Sequence, residues 1–241
     1  MFNFLINPSK FNKLVDVIFK PLVFIASLIV IVGLVLVYLS PLDYQQGLTV
    51  KIMYIHVPAA WLALLTYSIM TIYSIVGLAF KIPFGFIVNK AVAPIGAIFT
   101  LLCLISGSLW GKPMWGTWWV WDARLTSVAI LLVIYMIIIF LSRAFENREV
   151  REKTIAIFVL IGSINLPIIK FSVDWWNTLH QPSTFTLTSK PTMPPEMYLP
   201  LLLMAIGCYC LCAWLILQRT RNEILDQERQ SSWVARYLED Q

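Results

Sequence analysis

The sequence predicts an all-α, polytopic membrane protein with six transmembrane helices, and three observations predict it. Of the 241 residues, 59% are hydrophobic and only 13% charged, whereas soluble domains carry about a quarter charged residues. Six runs, at residues 21–40, 52–80, 91–111, 125–142, 154–169 and 197–218, contain no Asp, Glu, Lys or Arg. Most of them reach the roughly 20 residues that cross a hydrocarbon core. The basic residues between the runs also fall unevenly on the two sides that six crossings define.

Residues 1–20 are polar and basic, and the run that follows is long enough to span rather than to be cleaved, so no removable leader is expected. The second to fourth runs are uninterrupted. The fifth is short and stops near Pro167, with Phe171 as its furthest reach. The sixth leads into a tail, residues 219–241. There Ile224, Leu225, Trp233, Val234, Tyr237 and Leu238 alternate with charges, the pattern of a short helix lying on a membrane surface. No internal repeat or second domain is visible, so the chain reads as one unit over 1–241.

An even number of spans puts both termini on one side. That side holds thirteen basic residues: Lys10, Lys13, Lys20, Lys81, Lys90, Arg143, Arg148, Arg151, Lys153, Arg219, Arg221, Arg229 and Arg236. The other holds five: Lys51, Lys112, Arg124, Lys170 and Lys190. The richer side is expected to be cytoplasmic. The net charge of +5 therefore reports topology. No stretch is basic enough for a nucleic acid partner. Cys103, Cys208, Cys210 and Cys212 all lie in apolar runs without haem-attachment or zinc spacing. Such cysteines are usually small hydrophobes. The 208, 210, 212 alternation spreads its thiols over different helix faces, and none is given a function.

The chemistry gathers in three outer segments. The two histidines of the chain both fall there, His56 at the start of the second span and His180 in the last outer loop. A lone histidine is most often a satisfied polar group. Two on one face, with no others in the chain, point instead to imidazole ligands for a metal or a haem iron. Between the third and fourth spans, residues 110–124 carry Trp110, Trp115, Trp118, Trp119 and Trp121, five of the ten tryptophans. A membrane-interface belt would place aromatics at both faces. Here Trp61, Trp175 and Trp176 join the five, and only Trp214 and Trp233 lie on the other side. Indole faces give the broad, rigid, apolar area on which a flat macrocycle can rest. Gly111 and Gly116 permit close turns or close approach. Asp122 and Arg124 stand beside the indoles. Two apart, they do not face each other on a helix, so one can meet a ligand while the other braces the loop. The guanidinium fork of Arg124 matches a propionate.

Trp115-Gly116-Thr117-Trp118-Trp119-Val120-Trp121-Asp122 resembles the "WWD" signature of the haem-handling protein family. That family includes components C and F of the cytochrome c maturation system and the large cytochrome c synthetases. The flanks Trp110 to Met114 and Ala123 to Ser127, with the segments around His56 and His180, resemble the component C branch, as do the size and the histidine count. The resemblance implies haem b held by His56 and His180 as axial ligands, on a platform formed by Trp110, Trp115, Trp118, Trp119 and Trp121 with Asp122 and Arg124. It implies a bacterial inner-membrane location with the haem on the periplasmic side. It also implies presentation of haem to the periplasmic haem chaperone, component E, with the ABC-type components A and B and the small component D as partners.

No catalytic nucleophile stands out, and the expectation is a non-enzymatic assembly factor that positions its cargo. Two other functions compete. A haem-exporting transporter would need a polar path, and the six runs lack the charges for one. A b-type electron-transfer cytochrome usually keeps its histidine pairs within the bilayer and has no use for an exposed tryptophan loop.

The basic asymmetry yields a topology prediction. A reporter active only outside the cytoplasm stays silent when fused at Gln241 and becomes active when inserted in residues 110–124; the opposite pattern overturns the orientation.

Overall fold

The computed structural model describes residues 7–180 and 191–239. Among these residues, eight α-helices follow one another: α1 Pro8–Leu39, α2 Met53–Phe80, α3 Pro83–Trp115, α4 Ala123–Ala144, α5 Arg148–Gly162, α6 Asn165–Trp175, α7 Pro195–Gln227 and α8 Ser232–Glu239. A 3₁₀ turn, Leu48–Ile52, leads into α2. Among the described residues, six segments are long and apolar enough to cross a membrane, with α5 and α6 together forming the fifth. The all-α, six-span fold class therefore stands.

The helices outrun the apolar runs that mark them. α1 begins at Pro8, where the Asn7 side chain accepts from the Lys10 N–H and proline occupies the first turn. α3 begins at Pro83 and takes in Lys90 and the buried Asn89. Charged and amide residues remain helical where the bundle or the interface satisfies them, and hydropathy registers only the hydrocarbon-facing length. The fifth span differs most. It does not end near Pro167 but breaks at Ser163–Ile164 and resumes to Trp175. Pro167 lies in the first turn of α6, where a missing N–H costs nothing because it would have no helical partner.

Side chains at and beside that break bond to backbone carbonyls of neighbouring helices, in a setting where water is scarce. The Tyr67 hydroxyl donates to the Val159 carbonyl, 3.1 Å, and Asn165 Nδ2 donates to the Ser127 carbonyl, 2.9 Å. Tyr67 packs edge-on against Tyr135, 5.2 Å between ring centres. Tyr135 is fully buried; its hydroxyl donates to the Ala63 carbonyl at 2.9 Å and lies 2.9 Å from Thr66 Oγ1. Met70, Val92, Leu131, Ile138 and Val159 complete this core of α2 to α5. Cys208 and Cys212 prove to share a face of α7, both packing into a small cluster with Leu62 and Ile95. They are one turn apart, which the alternating pattern of three cysteines obscures.

The Tyr135 ring fills the space a side chain at position 96 would need, and a Cβ on Gly96 would overlap Tyr135 Cζ. Gly96→Ala is expected to lower the thermal unfolding midpoint more than Tyr135→Phe does. The first overpacks the core, at about 1–3 kcal/mol. The second removes one hydroxyl, at about 1 kcal/mol. Unfolding scans in detergent check this, and an equal or reversed order contradicts the packing.

Candidate functional site

The ring of His56 projects from the first turn of α2 onto one face of α3. Cys103, Ser106, Gly107 and Trp110 recur there at the spacing of a helical stripe. His56 Nδ1 lies 3.0 Å from the Cys103 carbonyl and 3.1 Å from Ser106 Oγ. A carbonyl only accepts, so Nδ1 carries the proton in that bond. Ser106 donates its own hydroxyl proton to the Leu102 carbonyl, 2.6 Å, which leaves its oxygen to accept. The tautomer that results keeps the Nε2 lone pair for a metal. Gly107 makes room for the ring, since a Cβ there would stand 2.9 Å from His56 Cε1. Trp110 meets the imidazole edge-on at 5.6 Å, and its own indole N–H is fixed by Gln46 Oε1 at 2.7 Å.

Trp110 and Trp115 belong to α3, not to a loop. The helix continues through Trp115 and ends at Gly116, whose φ of 72° suits glycine and whose N–H closes on the Lys112 carbonyl. The irregular part of the 110–124 segment is therefore 116–122. Trp115 packs on Gly111, where a Cβ would fall 2.6 Å from its ring. His180 stands edge-on to Trp115 at 5.1 Å. The two histidines thus contact tryptophans five residues apart on one helix end, a rise of about 7.5 Å, and the imidazoles lie within electrostatic reach of each other.

Asp122 organises the second histidine. Its Oδ1 accepts from the Leu125 N–H at 2.7 Å and caps α4; its Oδ2 accepts from the Thr178 hydroxyl at 2.6 Å. Thr178 Oγ1 in turn accepts from the His180 N–H at 3.0 Å. His180 Nδ1 faces the same Oδ2 at 3.7 Å. That is too far for a hydrogen bond, and this buried nitrogen has none among the described residues. Burial raises the Asp122 carboxyl, but the bonds from Thr178 and Leu125 and the nearby His180 outweigh it and hold the group below the usual range. Burial pushes His180 down; Asp122 opposes and Arg124 reinforces, and the net shift is downward. The two shifts favour a charged carboxylate and an uncharged imidazole at this contact.

Arg124 turns away from the indoles. Its Nε donates to Ser172 Oγ at 3.0 Å, and Nη2 lies 3.3 Å from the Lys170 carbonyl and 3.5 Å from that of Ile169, all on α6. It therefore ties α4 to α6, and only Nη1 is outside these contacts. Trp119 is half-buried against Trp121, 5.4 Å between centres, and its indole N–H is buried without a partner among the described residues. Trp118 and Trp121 are 56% and 80% exposed, though Lys112 Nζ stands over one face of Trp118 at 5.6 Å from its centre. Sequence reading missed Cys103, Ser106, Gly107, Gln46 and Thr178. The helical spacing of 103, 106, 107 and 110 was the one available signal.

Against known proteins, the profile of the family described as Heme exporter protein C (CcmC) matches residues 1–235. The chain belongs to the Heme exporter protein C family. It is similar to the Heme exporter protein C of Bradyrhizobium diazoefficiens, 47% identical over 221 residues, 92% of this chain and 84% of that protein. The Escherichia coli protein of the same name is 45% identical over 222 residues, 91% and 89% of the two chains. That of Paracoccus denitrificans is 38% identical over 219 residues, 90% and 91%. Membership of the Heme exporter protein C family thus extends along the six spans and includes the segments that bear His56, His180 and residues 110–124.

The neutral state of His180 leads to a pH prediction for the cargo-free protein. Its ring is expected to titrate below 6.5, and Asp122→Asn to lower that value further, because the carboxylate is what holds it up. Asparagine still caps a helix, so α4 is retained. With only two histidines in the chain, an NMR titration of histidine-labelled protein reads both rings. A His180 value of 6.5 or above, or an upward shift in Asp122→Asn, contradicts the arrangement.

Proposed function

We propose that the chain holds haem b at its tryptophan-bearing end, with His56 and His180 as axial ligands, on the periplasmic side of a bacterial inner membrane. There it presents the haem to the periplasmic haem chaperone, component E of the cytochrome c maturation system. The ABC-type components A and B and the small component D are its partners in the complex. The single observation that carries this reading is the state of the two imidazoles. His56 has its Nδ1–H committed to the Cys103 carbonyl, and His180 Nδ1 is buried 3.7 Å from Asp122 Oδ2 with no hydrogen bond among the described residues. Family membership and the basic asymmetry support the cargo and the orientation.

The residues suit a flat, amphipathic macrocycle with iron at its centre. In this reading the Cys103 carbonyl and Ser106 fix the ring of His56, which leaves Nε2 for iron. Asp122 does the same for His180 once the gap at Nδ1 closes, the carboxylate–histidine pairing usual at metal sites. Trp118, Trp119 and Trp121 supply apolar area, and the Trp119 N–H offers a donor to a polar edge. Arg124, with most of its donors on α6, positions the start of α4 more than it clamps a propionate. The chain's contribution is to bind and orient the cargo, while the covalent step belongs to the chaperone's own side chain. A helix-held His56 retains the haem, and His180, on a segment without regular structure, can release it.

His56→Ala and His180→Ala should each convert a six-coordinate absorption spectrum to a five-coordinate one, and external imidazole should refill the vacant position. The double variant should insert normally and bind no haem stably. Trp119→Ala alone should weaken binding by about 1–3 kcal/mol, on the scale of one aromatic contact, and keep both ligands. If each single histidine variant kept a bis-histidine spectrum, the ligand assignment would be wrong. Unchanged affinity after removal of Trp118, Trp119 and Trp121 together would reduce the segment to an interface belt.

A further inference from the structure

The end of the bundle opposite the histidines contains a cavity of about 250 Å³ that has no part in the proposed haem site. Three helices bound it: α3 through Lys90 and Pro94, α4 through Ile139 and Arg143, and α7 through Arg219 and Glu223. Three cations therefore meet a single carboxylate. Lys90 takes that carboxylate, 2.5 Å from Glu223 Oε2. Arg219 commits its Nε to the Ala91 carbonyl at 3.0 Å, which anchors the side chain, and it forms no ion pair among the described residues. Arg143 is exposed, in the last turn of α4, and forms no ion pair among the described residues.

Two guanidinium groups that form no ion pair among the described residues thus converge from different helices on one cavity. Orientation in the membrane requires basic residues on one side, but it does not require them to meet around a space with an apolar wall. Arg143 and Arg219 directly follow the uncharged runs 125–142 and 197–218, so they lie where hydrocarbon gives way to headgroups. Guanidinium forks match two oxygens of one phosphate. Basic pockets between spans are a recurring way to hold lipid headgroups. Below the cations, α4 offers the exposed Phe140, Ile137 and Met136, a surface for acyl chains. Inorganic phosphate shares the headgroup's chemistry but has no use for this apolar surface.

We propose that this cavity is a binding site for the phosphate of an anionic phospholipid, with Arg143 and Arg219 as the clamp. The test uses the full-length protein in mixed micelles that contain equal amounts of phosphatidylglycerol and phosphatidylcholine, with native mass spectrometry to count retained lipid. The wild type is expected to favour phosphatidylglycerol by about tenfold, the ratio that about 1.4 kcal/mol produces. Arg143→Gln, which breaks no hydrogen bond or ion pair among the described residues, should remove most of the preference. Arg219→Lys, which keeps the charge and loses the fork, should reduce it. Arg229→Gln removes one charge from a separate, more open cavity at the same end and should leave the preference intact. Sodium phosphate at matched ionic strength should fail to displace the lipid. A wild type without preference, an undiminished preference in Arg143→Gln, or an equal loss in Arg229→Gln overturns the site. Displacement by inorganic phosphate overturns the lipid as its ligand.

Discussion

A backbone in hydrocarbon has no water to bond, so every polar group on it must find its partner within the protein. Much of this structure follows from where that demand becomes hard to meet. Regular helices satisfy it by themselves. At the break between α5 and α6, Tyr67 and Asn165 supply bonds across helices. At the start of α4, Asp122 accepts the Leu125 N–H, and Arg124 donates to the Lys170 carbonyl midway along α6. The polar side chains that sequence inspection would single out as functional are therefore also the ones that satisfy the backbone. Their two roles separate only when each bond is followed to its partner.

Arg124 illustrates this. Its position beside five indoles invites a role in ligand binding, yet three of its contacts run to α6. Asp122 goes the other way. It begins as a helix cap and reaches, through Thr178, the segment that carries His180. Charge and proximity in sequence do not distinguish these cases, because both residues are needed to hold α4 in place.

The six spans were legible because hydropathy over twenty residues is a strong, local signal. Helix ends were not: Lys90 and Asn89 extend α3 well below its apolar run because the bundle and Glu223 accommodate them. The broken fifth span was half visible in Pro167, which marked irregularity but on the wrong side of the bend. At the candidate site, residue types and the shared membrane end of the two histidines could be read directly. The carbonyl of Cys103 could not, because a backbone acceptor has no signature in the side-chain sequence. Thr178 was equally hidden, since its importance lies in a hydrogen bond that spans 56 residues of chain.

The sharing of Asp122 has a mechanical consequence. One carboxylate grips the first turn of α4 with one oxygen and the Thr178–His180 stretch of the last loop with the other. The cap and the loop are thus linked in series, like a latch whose keeper is also the hinge pin. A partner that pulls on residues 178–180 transmits load to the tip of α4 and, through Arg124, to α6. The membrane bundle would then register a load on this last loop without any part crossing the bilayer.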